Sequence, residues 1–125
     1  MIPPIFATVS AINEVKALLG SAPVRFYPFD LAPQPGTPAY AEPYAVWQIV
    51  GGNPENYLGT LPDADRYTIQ VDVYAATTTS ARSVSEALRD AIEPHAYITR
   101  WGDESIDPET GLSRTGFDVD WHTHR

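Results

Sequence analysis

The chain has 125 residues, 43% of them hydrophobic, which is the length and composition of one globular domain. It contains no cysteine, which excludes disulfides, zinc–thiolate sites and thiol catalysis. The formal charge is −8, and the few basic residues are scattered, which argues against a protein that binds the phosphate backbone of a nucleic acid. No apolar run of membrane-spanning length and no signal-peptide pattern is present, so we expect a protein that is neither secreted nor membrane-bound.

Two prolines and an apolar stripe predict an N-terminal helix over about residues 4–19. Pro3 and Pro4 suit the first turn of a helix, where a missing N–H costs nothing. Gly20 suits its C-terminal end. Phe6 lies off the stripe and is either a core residue or a contact residue, and we favour the core. The stripe has the helical spacing of three and four, and it consists of Ile5, Val9, Ile12, Val15 and Leu19.

A short strand over residues 24–29 and a proline-rich loop come next. Five prolines between positions 28 and 43 exclude a helix or a central strand over about residues 31–43, because proline lacks the N–H and restricts the residue before it. The loop is either an extended arm that reaches a neighbouring molecule or a surface loop packed on its own domain.

A second strand is predicted over residues 44–50, followed by a break at Gly51-Gly52-Asn53-Pro54 and a loop up to Asp65. The strand is apolar on both faces, so we expect one face to meet a helix and the other to meet a partner or a second layer. Apolar side chains in the polar loop also indicate a contact. The predicted interface residues are Trp47, Ile49, Asn53, Glu55, Tyr57 and Leu58.

The clearest pattern in the chain is a strand over about residues 66–75, followed by a helix over about residues 80–93. Hydrophobic and polar residues alternate along the strand, and Pro94 marks the end of the helix. The Thr/Ser cluster between them offers hydroxyls that can cap the helix. The predicted core residues of this unit are Tyr67, Ile69, Val71, Val73 and Ala75 on the strand, and Ala81, Val84, Ala87, Leu88, Ala91 and Ile92 on the helix.

Two further strands, at residues 97–101 and about 112–124, flank an acidic turn over residues 103–111. Short turns at 51–65 and 102–111 favour antiparallel hairpins. The sequence therefore predicts a single α+β domain over residues 1–125, with an antiparallel sheet of four to five strands and two helices packed on one face.

The C-terminal strand carries the one candidate metal site. Alternation places two aspartates and two histidines on one face, and two imidazoles two residues apart can reach one ion. A simpler interpretation is an amphipathic strand with a solvated polar face, and we expect no metal and no other cofactor. The polar face consists of Asp118, Asp120, His122 and His124, and the core face of Phe117, Val119, Trp121 and Thr123.

No arrangement of residues predicts an enzyme. A serine hydrolase needs a nucleophile oriented by a base, and the helix-start position of Ser80, Ser83 and Ser85 is explained by capping. His95 follows a helix end and is expected at the surface. No phosphate loop or Gly-x-Ser-x-Gly motif is present. Solvation is the ordinary state of the acids predicted in loops, which are Asp63, Asp65, Asp103, Glu104, Asp107 and Glu109.

Several sequence segments, in a fixed order, resemble segments of the tail completion, or tail terminator, proteins of long-tailed bacteriophages. The resemblance covers most of residues 5–100, and the C-terminal third is the least similar part. The segments are Leu18-Leu19-Gly20, Val24-Arg25-Phe26-Tyr27-Pro28, Pro43-Tyr44-Ala45-Val46-Trp47-Gln48-Ile49 and Ile69-Gln70-Val71-Asp72-Val73-Tyr74-Ala75, followed directly by the helix.

The resemblance implies a structural virion subunit that forms a homohexameric ring in the tail and neck, assembled in the host cytoplasm. The ring would cap the tail tube and join it to the head connector, so its partners would be itself, the tail tube protein and the head–tail connector protein. DNA would pass through the channel without specific binding, and the six loop acids would face the lumen or the rim.

Two other functions remain open from the sequence. One is a head-side connector or stopper protein in the same phage setting. The other is an acidic binding module or small acidic enzyme outside any phage. A monomer with a single deep pocket would support this second function.

Overall fold

The computed structural model describes residues 2–55 and 64–124, and in those ranges it has three helices and six strands. The α+β class is confirmed, with one more strand and one more helix than the largest number expected. In chain order the elements are α1 (Ile5–Ser10), α2 (Asn13–Leu19), β1 (Phe26–Pro28), β2 (Tyr44–Glu55), β3 (Ala64–Ala75), α3 (Thr78–Ile92), β4 (Tyr97–Trp101), β5 (Ser105–Ile106) and β6 (Ser113–His124).

All six strands form one sheet with the order β1-β2-β3-β6-β4, and β5 pairs with β6 beyond the end of β4. The expected hairpins are confirmed, because β2 pairs antiparallel with β3 and β4 pairs antiparallel with β6. The sheet is not wholly antiparallel, since β1 pairs with β2 in parallel. β3 and β4 run in the same direction on either side of β6, and α3 crosses between them over one face.

The core lies between this face and the three helices. Ile69, Val71 and Val73 of β3 have no exposed surface, and Leu88 and Ile92 of α3 are equally buried. The predicted core faces of β3 and α3 are therefore confirmed, with Tyr67 partly buried at the edge of the cluster. The Thr77 hydroxyl caps α3 by accepting a hydrogen bond from the backbone N–H of Ser80 at 3.1 Å.

The single N-terminal helix predicted from the stripe is wrong. The backbone of Ile12 is extended, with φ −94° and ψ 124°, and this residue separates α1 from α2. The stripe divides into two buried i,i+4 pairs, Ile5 with Val9 and Val15 with Leu19, and Ile12 is 38% exposed. Phe6, which we favoured as a core residue, is 45% exposed. Gly20 ends α2 with φ +83°, as expected.

The predicted break after residue 50 is also wrong, because β2 continues to Glu55. The register with β3 shifts by one residue between Ile49 and Gly51, which is a β-bulge, and pairing then resumes. Pro54 is tolerated because β1 covers only the first part of the outer edge of β2. Asp65 consequently lies in β3 and not in a loop.

The proline-rich loop is anchored to its own domain at both ends. The Phe29 N–H donates to the Trp47 carbonyl at 2.9 Å, and the Tyr40 ring packs edge-on against Tyr44 at 5.6 Å. The Arg25 side chain donates to the Pro43 carbonyl at 2.8 Å and to the Leu18 carbonyl at 3.3 Å, which ties the loop end to α2. No helix within residues 2–55 and 64–124 combines the length and the hydrophobicity that a membrane span needs.

Candidate functional site

The face of the sheet opposite the helices carries polar and aromatic side chains, and we call it the open face. Its central part consists of every second residue of β2, β3 and β6, because alternate side chains point to opposite sides of a strand. Paired residues on neighbouring strands lie in rows across this face. The row nearest the proline-rich loop contains Tyr40, Tyr44, Tyr74 and Arg114.

The aromatic rings in this row are in direct contact. Tyr44 stacks on Tyr74 with 5.1 Å between ring centroids, and the Arg114 guanidinium lies 5.7 Å from the Tyr74 centroid. Burial raises the pKa of Tyr40, Tyr44 and Tyr74, and the carboxylate of Asp107 raises it further in all three. The phenols therefore stay neutral at physiological pH in a locally acidic setting.

Asp72 occupies the next row, beside Arg114. Its side chain is only 13% exposed, and the Arg114 Nη2 lies 3.4 Å from its Oδ1. The Gln70 amide donates to both carboxylate oxygens, at 3.2 and 3.4 Å. Arg114 is thus held between a carboxylate and an aromatic ring, which fixes this end of the open face.

A groove of about 660 Å³ lies beside the tyrosine row, and we call it the tyrosine groove. Its wall on one side is the proline-rich loop, and on the other side it is the acidic turn before β6. Phe29 lies at the rim and is 64% exposed, and Leu31, two residues further along the chain, is 65% exposed. The lining residues are Phe29, Asp30, Ala32, Pro33, Gln34, Pro35, Tyr44, Val46, Tyr74, Asp107, Glu109 and Thr110.

A second concave surface lies between α3 and β4 and has a volume of about 380 Å³. Arg82 binds Glu104 through two hydrogen bonds of 2.6 and 2.8 Å, and these bonds lower the pKa of the Glu104 carboxyl. The Arg89 guanidinium lies 5.6 Å from the ring centroid of Trp101, which is 48% exposed. The Ser85 hydroxyl is buried and finds no hydrogen-bond partner among the described residues.

The predicted interface residues fall on different parts of β2. Trp47 packs partly against the core, and its buried indole N–H has no acceptor among the described residues, whereas Ile49 is 38% exposed. Asn53 and Glu55 lie in the last part of β2, where only their backbone is described. Tyr57 and Leu58 lie outside the described residues. An interface role for these residues stays a prediction.

The six predicted loop acids do not form one cluster. Asp65 pairs with Thr123 at one end of the sheet, and Asp107 precedes β6 at the other, roughly 30 Å away at about 3.3 Å per residue. Asp107 accepts a hydrogen bond from the Thr110 hydroxyl at 2.7 Å, while Asp103 is exposed near Arg100. Glu109 lines the tyrosine groove with Asp107, and Asp63 lies outside the described residues.

Three of the four candidate metal ligands on β6 contact other side chains, and the side chain of His124 lies outside the described part of the structure. Asp120 accepts a hydrogen bond from Thr68 at 3.0 Å, Asp118 lies 3.9 Å from Arg100, and the His122 ring packs edge-on against Tyr97. Across residues 2–55 and 64–124, no three His, Asp or Glu side chains are grouped to hold an ion. The opposite face of β6 is buried as predicted, at Phe117, Val119, Trp121 and Thr123.

The capping explanation is wrong for Ser83 and Ser85, which lie beyond the first turn of α3, and the buried Ser85 hydroxyl has no hydrogen-bond partner among the described residues. Ser80 lies in the first turn of α3 beside the Thr77 cap, and Ser83 is exposed on the same helix. His95 is exposed, as expected, and its ring stacks on Trp121 at 6.3 Å.

A family model described as "Tail completion protein gp17" matches residues 3–124 of the chain. The chain belongs to this family. The resemblance seen in the sequence is confirmed, and it extends through the C-terminal strand, which had appeared least similar. A phage-tail structural role follows from membership, and this role agrees with the expectation that the chain is not an enzyme.

Two solved structures share the fold of this tail completion protein. A chain in the "Virion of native gene transfer agent (GTA) particle" has a TM-score of 0.68 at 15% identity, covering 97% of this chain and 92% of that one. The gp17 protein of bacteriophage SPP1 has a TM-score of 0.56 at 12% identity, covering 97% and 86%. No curated protein matches the sequence.

The sequence did not identify the row formed by Tyr40, Tyr44, Tyr74 and Arg114. The alternation did place Tyr74 on the polar face of its strand, which was a signal that a large aromatic lies outside the core. Its partners come from two other strands and from the loop, and their register is set by packing over the whole sheet.

Proposed function

We propose that this tail completion protein forms a closed homohexameric ring that caps the tail tube and joins it to the head connector. The observation that carries the proposal is the match of the family model over residues 3–124. The virion setting of the gene transfer agent chain and the phage origin of SPP1 gp17, both with this fold, support a place in the particle.

The surface chemistry of the subunit supports a head-to-tail ring. Such a ring needs two different surfaces that fit one another, since each copy presents one surface to the preceding copy and the other to the next. The described chain has exposed apolar side chains at both edges of the sheet. They include Phe29 and Leu31 next to β1, and Tyr97 and Trp101 on β4.

Charge supports a channel through which DNA moves without being held. Six copies of a chain with a formal charge of −8 carry −48. Such a ring repels phosphates because its net charge has the same sign. It also lacks the clustered Lys and Arg that binding along DNA requires. Among the loop acids, exposed Asp103 is the best candidate for the lumen, because Glu104 is bound to Arg82 and Asp107 lies in the tyrosine groove.

Removal of the gene from the particle that encodes it tests this function. We expect filled heads and separate tails in the lysate, since the joint between them would be missing. Supplying the protein in trans should restore joined particles. Joined, infectious particles without the protein would contradict the proposal, and tails that never polymerise would assign the protein to an earlier step of tail assembly.

A further inference from the structure

The tyrosine groove has the chemistry of a site for a cationic side chain. Its charged lining residues are Asp30, Asp107 and Glu109, all acidic. Its floor includes Tyr44 and Tyr74, whose rings already contact each other and are flanked by Tyr40 and Arg114, so the groove offers its carboxylates to a cation. An arginine suits this acidic lining, because its planar guanidinium pairs with carboxylates through two parallel hydrogen bonds.

β4 presents such a cation at the far edge of the same sheet. In the described part of the chain β4 has a strand neighbour on one side only, which is β6. The Arg100 side chain is 62% exposed, and its ion pair with Asp118 is long, at 3.9 Å. Tyr97 next to it is 69% exposed. An edge strand with exposed aromatic side chains and an exposed arginine has the composition typical of a protein–protein interface.

These two surfaces cannot meet within one subunit. The groove lies over β2 and β3, and β4 is three strand positions from β2 in the sheet, or about 14 Å at the usual strand spacing. The sheet between them is fixed by continuous pairing of β3 with β6. A second copy of the chain can bring its β4 to the groove, and repetition of that contact is head-to-tail.

We propose that the outer edge of β4 in one copy docks at the tyrosine groove of the next copy, with Arg100 seated among Asp30, Asp107 and Glu109. This inference rests on the proposed ring and names its subunit contact. The groove volume of about 660 Å³ lies within the roughly 300–1,000 Å³ range of pockets that hold drug-sized ligands, so it has room for the Arg100 side chain together with neighbouring β4 atoms.

Disulfide trapping tests the contact directly, because the natural chain has no cysteine. Thr99→Cys places a thiol at an exposed position of β4. Gln34→Cys places one at an exposed position of the loop that forms one wall of the groove. We expect tails assembled with the double variant and then oxidised to give a ladder of cross-linked chains on a non-reducing gel. Either single variant should give no species above a dimer, and Thr99→Cys with Ser83→Cys, on exposed α3, should give no ladder.

A charge exchange provides an independent readout. Arg100→Glu and Glu109→Arg should each lower incorporation into tails by at least roughly tenfold, which is the effect of losing about 1.4 kcal/mol of binding free energy. The double exchange should restore part of the incorporation lost in Arg100→Glu, because one pair is re-formed with opposite sign while Asp30 and Asp107 still repel the new carboxylate. Melting temperatures of the purified variants should match the natural protein, since both side chains are exposed.

The outcomes separate the two proposals. Rings visible on tails of the double-cysteine variant but without a cross-linked ladder would overturn the β4 contact and leave the ring standing. Single exchanges that assemble normally would overturn the contact as well. Absence of the natural protein from joined particles would instead contradict the proposed function itself.

Discussion

The carboxylate of Asp72 lies over Gly116, its partner on β6, in the space that a larger side chain would need. A Cβ atom at position 116 would approach the Asp72 Oδ1 to 3.0 Å and the Val71 carbonyl oxygen to 2.1 Å. The absence of a side chain therefore lets β3 and β6 approach closely at their centre. It also leaves room for Asp72 to bind Arg114, next to the tyrosine row.

Gly116→Ala should destabilise the subunit by about 1–3 kcal/mol, because the added methyl group meets the backbone of a neighbouring strand that cannot rotate away. Gly51→Ala is the matched control, since nothing lies within 4 Å of its Cβ position. Urea unfolding of both variants measures the difference. Equal stability of the two would show that β3 and β6 can separate at Gly116 without cost.

Val71→Asp should prevent stable folding. Val71 has no exposed surface, and an unpaired carboxylate there costs several kcal/mol against a total stability of about 5–15 kcal/mol. Val50→Asp makes the same chemical change at a side chain that is 50% exposed, and it should fold and melt nearly normally. Circular dichroism melting compares the two, and a soluble Val71→Asp protein with a normal melting temperature would contradict the assigned strand face.

The tyrosine row should make the subunit sensitive to alkali. Burial, the largest cause, raises the pKa of the Tyr44 phenol, so the folded chain holds this proton more tightly than the unfolded chain. The resulting stability is fully present below the unfolded pKa of about 10 and is lost as the pH rises toward the folded value. Urea midpoints measured at increasing alkaline pH should fall in this range.

Tyr44→Phe removes the titrating phenol and should make the fall above about pH 10 shallower. Tyr97→Phe, at a tyrosine that is 69% exposed, should follow the curve of the natural protein. The slope against pH is the quantity to compare, because either change can also shift stability at neutral pH. Equal slopes for all three proteins would show that Tyr44 is as easily ionised as an exposed tyrosine.

Asp103→Lys tests whether the turn before β6 lines the channel. The side chain is exposed, so the fold should persist and particles should assemble. DNA delivery should fall, more so at low salt, because screening of the new positive charge is then weakest. Glu14→Lys, on exposed α2, makes the same charge change and should deliver DNA normally. Normal delivery by Asp103→Lys at every salt concentration would place this turn on the outer rim.

Local patterns were sufficient to predict the strand and helix at the centre of the fold. The period-two alternation of β3 and the helical spacing of α3 each place a whole face in the core, and Val71 and Leu88 are buried accordingly. The hairpin pairings followed from short connections. Both signals act between residues close in sequence. Turning the wrong face of the strand or helix toward the core would expose many apolar side chains.

The errors arose where tertiary contacts overrode local spacing. The stripe through Ile12 fits one continuous helix, but α1 and α2 bury their own pairs against α3 by separating there. Gly51 predicts a strand end, but here it follows a bulge within a strand that β3 continues to pair. The groove depends on the register among three strands and a loop, which no local pattern in the sequence encodes.

Cryo-electron microscopy of the intact neck region tests the central claim most directly. We predict six copies of this subunit in a closed ring at the head-proximal end of the tail tube, with Asp103 toward the lumen. A monomer at that position, a ring placed only on the head side of the connector, or the absence of the subunit from mature particles would contradict the account.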